Sequence, residues 1–314
     1  MIEVSYLTKY YGNVAAIQDV SFSVAPGEVL GFLGPNAAGK TTTMRILAGY
    51  LPPSSGTARV CGYDILQDSI EVRRHVGYLP ETVPLYNEMT VESYLLFFAR
   101  LRGTPNPRQR LEYVVSACGL TGREREIIGR LSRGYRQRVG IAQALVHDPE
   151  VLILDEPTVG LDPRQITEVR TLIRSLGASH TIILSTHILP EVSQTCSRVL
   201  IINDGRIVAE DSPERLAAGI RGGQRVSLRV QDASAGAEEA LAAIPGIASV
   251  SRDGAGQFLV DCQPGVECRP QIASLAVEHG WGLLELHAQD VSLEEVFLRL
   301  TSESDTQPSQ EVEV

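Results

Sequence analysis

A chain of 314 residues is long enough for about two domains of ordinary size. Its 43% hydrophobic and 21% charged residues are a globular composition, which excludes a fibrous or wholly disordered chain. The formal net charge of −10 argues against a protein that wraps nucleic acid, because such binding needs a surplus of Lys and Arg.

Taken in chain order, short apolar runs predict strands over 2–7, 20–24 and 29–33. A Gly-rich segment, Gly34 to Gly39, precedes a helix over 40–48, with Gly49 as its C-terminal stop and Pro52-Pro53 preventing continuation. Residues 88–147 read as helical. Thr90 caps a helix that sets Val91, Tyr94, Leu95, Phe98 and Leu101 on one face and ends at Gly103. Asn106 is read as the cap of the next, with Pro107 at its first position and Gly119 closing it. The runs over 151–154, 181–185 and 199–202 are near-continuously apolar, as in strands buried on both faces of a parallel sheet, and a helix over 163–176 separates the first two. After a linker near 217–223 come a strand (226–230), a helix (235–243), two strands (247–251, 258–262), a helix (270–279) and a strand (282–287). That βαββαβ order predicts a small ferredoxin-like module over 224–301. Ser292 and Glu295 have capping-box spacing for a last helix, and 302–314 is an acidic tail expected to be disordered. No apolar run approaches the roughly 18 residues that span a bilayer, and no secretory signal is visible. Cys61, Cys118, Cys196, Cys262 and Cys268 are scattered without a C-x-x-C pair, which suggests reduced thiols in a cytosolic setting.

Gly34-Pro35-Asn36-Ala37-Ala38-Gly39-Lys40-Thr41 fits G-x-x-x-x-G-K-[ST] between a strand and a helix, the context this phosphate loop requires. Backbone N–H groups of the loop and the helix N-terminus, continuing to Thr42, can hold phosphate oxygens. Lys40 adds a point charge for the β- and γ-phosphates, and the Thr41 hydroxyl can ligate Mg²⁺. The apolar run 151–154 emerges into Asp155-Glu156-Pro157, which places two carboxylates at the ligand-binding edge of an α/β sheet. Asp155 suits Mg²⁺, and Glu156 suits orienting and deprotonating a water.

With these residues in place, the chain resembles an ATP-binding cassette (ABC) transporter ATPase subunit over residues 1–215. Leu131-Ser132-Arg133-Gly134-Tyr135 resembles the family signature L-S-G-G-Q, departing at Arg133 and Tyr135. The resemblance makes Ser132 and Gly134 γ-phosphate contacts, Leu161-Asp162 the D-loop, His187 the switch histidine and Tyr11 the aromatic that stacks on adenine, with its neighbour Tyr10 an equal candidate. It departs at Ala37, where Gly is usual, so the turn must tolerate a Cβ. It departs again at Glu81, where Gln is usual; a carboxylate there can still ligate Mg²⁺. Gly77-Tyr78-Leu79-Pro80-Glu81 and the helix-like ending 292–301 resemble the branch of multidrug, gliding-motility and copper-processing exporters, whose permease is a separate chain.

The implied fold is a P-loop NTPase cassette over 1–217 with a parallel-sheet core, an antiparallel β subdomain and a helical subdomain at 85–147, followed by the α+β module. The implied function is ATP hydrolysis for an exporter at the cytoplasmic face of a membrane. Its partners are a membrane permease, docking on 85–130, and a second cassette packed head to tail; nucleic acid is not among them. The competing class is a soluble, non-transport ABC ATPase. For the C-terminal module, a spacer or dimerisation role outweighs effector sensing.

Overall fold

A computed structural model describes residues 1–219, 225–232, 236–254, 256–263 and 266–289, in two compact units that divide between Pro213 and Glu214. The helix expected from Ser292 and the tail over 302–314 lie outside the described residues.

Period-two alternation makes the first strands. In β1 (Ile2–Tyr11), Ile2, Val4 and Leu7 are buried while Glu3 and Ser5 face solvent; β2 (Val14–Val24) alternates similarly over Val20, Phe22 and Val24. β3 (Val29–Leu33) is apolar on both faces and runs directly into the phosphate loop and α1 (Lys40–Leu47). Then follow β4 (Ser55–Val60), β5 (Tyr63–Asp64), α2 (Ser69–His75) and β6 (Val76–Leu79). The helical stretch holds α3 (Val91–Leu101), α4 (Pro107–Ala117) and α5 (Arg133–Leu145). Next come β7 (Val151–Asp155), α6 (Pro163–Gly177), β8 (Thr181–Thr186), α7 (Leu189–Thr195), β9 (Arg198–Asn203), β10 (Arg206–Asp211) and α8 (Pro213–Gly219).

Two sheets form in the first unit. One is antiparallel, in the order β2-β1-β4-β5; the other runs β10-β9-β3-β8-β7-β6, parallel throughout except for the antiparallel edge strand β10. Ile2, Leu7, Ile17, Phe32, Met44, Leu47 and Ile153 belong to one core, so α1 packs between the two sheets. Among the described residues, side chains cap three helix starts: Thr90 accepts from Ser93 N, Ser132 from Tyr135 N and Asp162 from Gln165 N. Asn106 differs from expectation. It sits at φ 48 and its side chain makes no cap hydrogen bond, since Asn tolerates the left-handed region and turns the chain by backbone conformation alone. Among the described residues, no helix is long and apolar enough to cross a membrane.

The second unit contains β11 (Arg225–Val230), α9 (Ala237–Ala242), β12 (Ile247–Arg252), β13 (Gln257–Cys262), α10 (Arg269–Glu278) and β14 (Leu283–Gln289). Its antiparallel sheet has the order β12-β13-β11-β14, the split arrangement of a ferredoxin-like βαββαβ module. Val226, Leu228, Phe258, Val260, Ile272 and Trp281 form its core. His279 stacks on Trp281 at 5.3 Å, a packing contact rather than part of a ligand set.

Candidate phosphate and hydrolysis site

Adjacency in the parallel sheet assembles the site. β3, β8 and β7 are neighbours, so the phosphate loop, His187 and the Asp155-Glu156 pair all leave the same carboxyl edge. Lys40 is only 5% exposed, and its ammonium folds back over the loop, donating to Gly34 O at 2.7 Å and Pro35 O at 2.9 Å. Gly39 takes φ 103, and a Cβ there would lie 2.6 Å from Ala16 O, so this position requires glycine. Ala37 adopts φ 66 and keeps the turn open despite its methyl group.

Asp155 ends β7 fully buried. Its Oδ1 accepts from Ser185 Oγ at 2.5 Å and Thr41 Oγ1 at 3.3 Å, the first because Asp155 and Ser185 are paired in register. Its Oδ2 is buried without a partner. Burial pushes the Asp155 carboxyl above the ordinary carboxylate range; the Ser185 and Thr41 hydrogen bonds oppose this, while the charges of Glu156 and Glu81 add to it. An orphaned carboxylate oxygen beside a hydroxyl is a hard-oxygen donor set of the kind Mg²⁺ prefers.

Glu156 is strained into place. Its φ is 49, held by its N–H donating to both Ser185 O and Ser185 Oγ at 3.1 Å. The buried carboxylate then lies 3.3 Å from Lys40 Nζ, and both its oxygens are 3.0 Å from His187 Nδ1. Behind this pair stands a fully buried residue that sequence reasoning missed. Glu191 of α7 accepts from Thr158 Oγ1 on one side and from Thr186 Oγ1, at 2.8 Å, on the other. It thus ties the residue before His187 to the turn after Glu156.

The resulting cavity is about 520 Å³. Of the predicted residues, Asn36, Ala37, Gly39, Lys40, Thr41, Thr42, Glu81, Glu156 and His187 line it, and Ala16 and Val159 join them. Gly34 and Pro35 contribute carbonyls to Lys40, Ala38 is buried behind the loop, and Asp155 lies beneath. Tyr11, Ser132, Gly134 and Asp162 are not in its lining. Tyr11 is half exposed, with Lys9 Nζ 5.7 Å from its ring centroid. Ser132 and Asp162 serve as helix caps, and Gly134 packs where a Cβ would lie 2.7 Å from Gln165 Cδ. The signature's departures have local explanations. Tyr135 lies under the guanidinium of Arg123 at 4.2 Å, and the Arg133 guanidinium covers Gly160, where a Cβ would come within 2.3 Å of it.

A glycine-bounded loop between strand and helix, with a carboxylate pair on a parallel strand of the same sheet one strand removed, defines the class: a P-loop nucleoside-triphosphate hydrolase. Comparison with known proteins narrows this. The ABC transporter family matches residues 17–159. The chain is 36% identical over 303 residues to the Nod factor export ATP-binding protein I of Paraburkholderia xenovorans (strain LB400), covering 96% of each chain. It is 34% identical over 302 residues to the bacitracin transport ATP-binding protein BcrA of Bacillus licheniformis, covering 96% of this chain and 97% of that one. Among solved structures, an ATP-binding subunit of an ABC transporter superposes with a TM-score of 0.64 at 31% identity, over 70% of this chain and 93% of that one. The chain belongs to the ABC transporter family as an ATP-binding subunit.

Proposed function

We propose that the chain is the ATP-hydrolysing subunit of an exporter whose membrane-spanning permease is a separate polypeptide. One observation carries the hydrolytic reading: at the mouth of a phosphate-loop cavity, Glu156 sits between Lys40 and His187 with both oxygens engaged. Loop N–H groups and the α1 N-terminus bind the β- and γ-phosphates, and Lys40 offsets their charge. Glu156 accepts the proton of the attacking water while His187 fixes the carboxylate's orientation. Thr41 and Asp155, with Glu81 nearby, would hold Mg²⁺, which supplies charge neutralisation at the phosphates when bound. Tyr11 offers an exposed ring face to adenine.

Ser132 and Gly134 lie outside the cavity of their own chain, which supports a second cassette presenting its signature helix N-terminus, with Asp162 close by, to the γ-phosphate. Export, and a position at the cytoplasmic face of a membrane, rest on the relatives named for Nod factor export and bacitracin transport. Tyr86, Phe97 and Leu101 expose apolar surface on the helical stretch, and this is the face we assign to the permease. Residues 1–217 act as the ATPase domain and 224–301 as an accessory module.

Glu156→Gln in the full chain tests the central claim. Phosphate release should fall about 10²–10⁴-fold, the usual worth of a positioned base, while fluorescent-nucleotide binding persists. Hydrolysis at the normal rate removes Glu156 as the base.

A further inference from the structure

We propose that Cys61, His75 and Glu150 form a zinc-binding site at the amino-terminal end of β6 and β7, away from the phosphate loop. One ligand atom from each of the three residues lies within 4.8 Å of the other two. They come from three separate elements of the first unit. Cys61 is in the two-residue turn joining β4 to β5, His75 is the last residue of α2, and Glu150 directly precedes β7. Val76 and Val151, the residues that follow His75 and Glu150, are paired in register, which is what brings imidazole and carboxylate together. His75 Nδ1 lies 2.7 Å from Glu150 Oε2, and the imidazole stacks on Tyr63 at 5.1 Å, so its ring is held in place.

The turn itself is unusual. Cys61 and Gly62 take φ 53 and 85, the pair of positive values of a type I′ hairpin. The first position of such a turn favours Asn, Asp or Gly, yet it holds a cysteine with its thiol on the His75 side.

The donor chemistry selects the ion. A thiolate, a neutral imidazole and a carboxylate are a borderline-soft mixed set suited to Zn²⁺, whereas Mg²⁺ and Ca²⁺ take oxygen donors. Binding releases the Cys61 thiol proton to solvent and moves the His75 proton to its other ring nitrogen. Zn²⁺ with one thiolate and one carboxylate is then electrically neutral, as a half-buried site requires. Water completes the tetrahedron; the Met1 thioether, 3.2 Å from Cys61 Sγ, is a weak ligand for zinc. Such an ion would staple the β4–β5 turn of the antiparallel sheet to the start of two parallel strands. Asp155 lies at the other end of β7, about 13 Å along the strand at roughly 3.3 Å per residue.

The test uses freshly reduced full-length protein. Co²⁺ titration should give a thiolate-to-metal charge-transfer band with tetrahedral d–d intensity, and Zn²⁺ should abolish it at one equivalent. That band separates this site from cation binding near Thr41 and Asp155, where the cavity lining holds no cysteine. Competition with a chromogenic zinc chelator should show affinity falling by more than about 100-fold in C61S and in H75Q, beyond the 10–100-fold typical of outer-shell changes. Zn²⁺ should raise the melting temperature of wild type and leave C61S unmoved, with the two matched in chelator. A wild-type protein without the Co²⁺ band overturns the site, as does a band or a zinc affinity that survives C61S.

Discussion

Glu191 offers the sharpest test of how the two halves of the hydrolytic site are held together. It is fully buried, and its two oxygens accept the hydroxyls of Thr158 and Thr186. Glu191→Ala leaves both hydroxyls buried without their acceptor. At about 1–3 kcal/mol for each unsatisfied group, the loss is about 2–6 kcal/mol before any cavity is counted. For a unit of this size, each kcal/mol is worth about 2–4 °C, so the melting temperature should fall by at least about 4 °C. Glu191→Gln keeps the shape, accepts from one hydroxyl and donates to the other, and should cost only about 1 kcal/mol. Because Thr158 follows Glu156 by two positions and Thr186 precedes His187, releasing them displaces the base we propose and the histidine beside it. Displacements of about 1 Å can cost about 100-fold, so kcat should fall on the order of 10- to 100-fold in E191A and little in E191Q. The phosphate loop makes no contact with Glu191 through these bonds, so nucleotide affinity should hold. Steady-state phosphate release, nucleotide titration and thermal unfolding measure the three quantities. E191A with unchanged kcat and melting temperature, or with a loss confined to nucleotide binding, would falsify the clamp.

Two further outcomes follow from the loop and the buried aspartate. Ala37→Gly should stabilise the protein by up to about 1.5 kcal/mol, because an Ala at φ 66 costs about 1–2 kcal/mol and the more flexible unfolded Gly returns about 0.4–1 of it; a lower melting temperature would show the turn to be unstrained. Asp155 has its folded pKa raised, chiefly by burial, so the fold favours its protonated form. That contribution is complete below the ordinary value of 3.8 and is lost as pH rises through the folded value. Asp155→Asn should therefore raise the melting temperature of nucleotide-free protein at neutral pH, lose that advantage towards acid, and abolish Mg²⁺-dependent hydrolysis. A neutral-pH destabilisation contradicts the assigned sign.

Much of the site was legible because its parts are local. A phosphate loop is a contiguous string between a strand and a helix, and Asp155-Glu156 follow an unmistakably buried run. Glu191 was not legible: a lone glutamate in a seven-residue polar helix reads as solvated, and only the tertiary approach of Thr158 and Thr186 makes it a core residue. Ser185 read as the end of a strand, and its role depends on its register with Asp155. Ala16 reaches the cavity from β2, and Val159 through the turn in which its N–H donates to Glu156 O. Among elements, β4, β5, β6, β10, α2, α7 and α8 escaped notice. They are two to seven residues long, and β10 has no fully buried residue, so no apolar period marked them. The βαββαβ order of the second unit was readable because turn residues separate each of its alternating segments.

The ion pair between Lys40 and Glu156 sets a rule of exclusion for the site. The Lys40 ammonium has three protons; Gly34 O and Pro35 O take two and the Glu156 carboxylate lies 3.3 Å away, so a terminal phosphate must compete for what is left. The carboxylate and a terminal phosphate are rivals for this ammonium, and a nucleotide that draws Lys40 to its phosphates loosens the pair with Glu156. With Glu156 as the base we propose, seating the substrate and unmasking that base would then be one event.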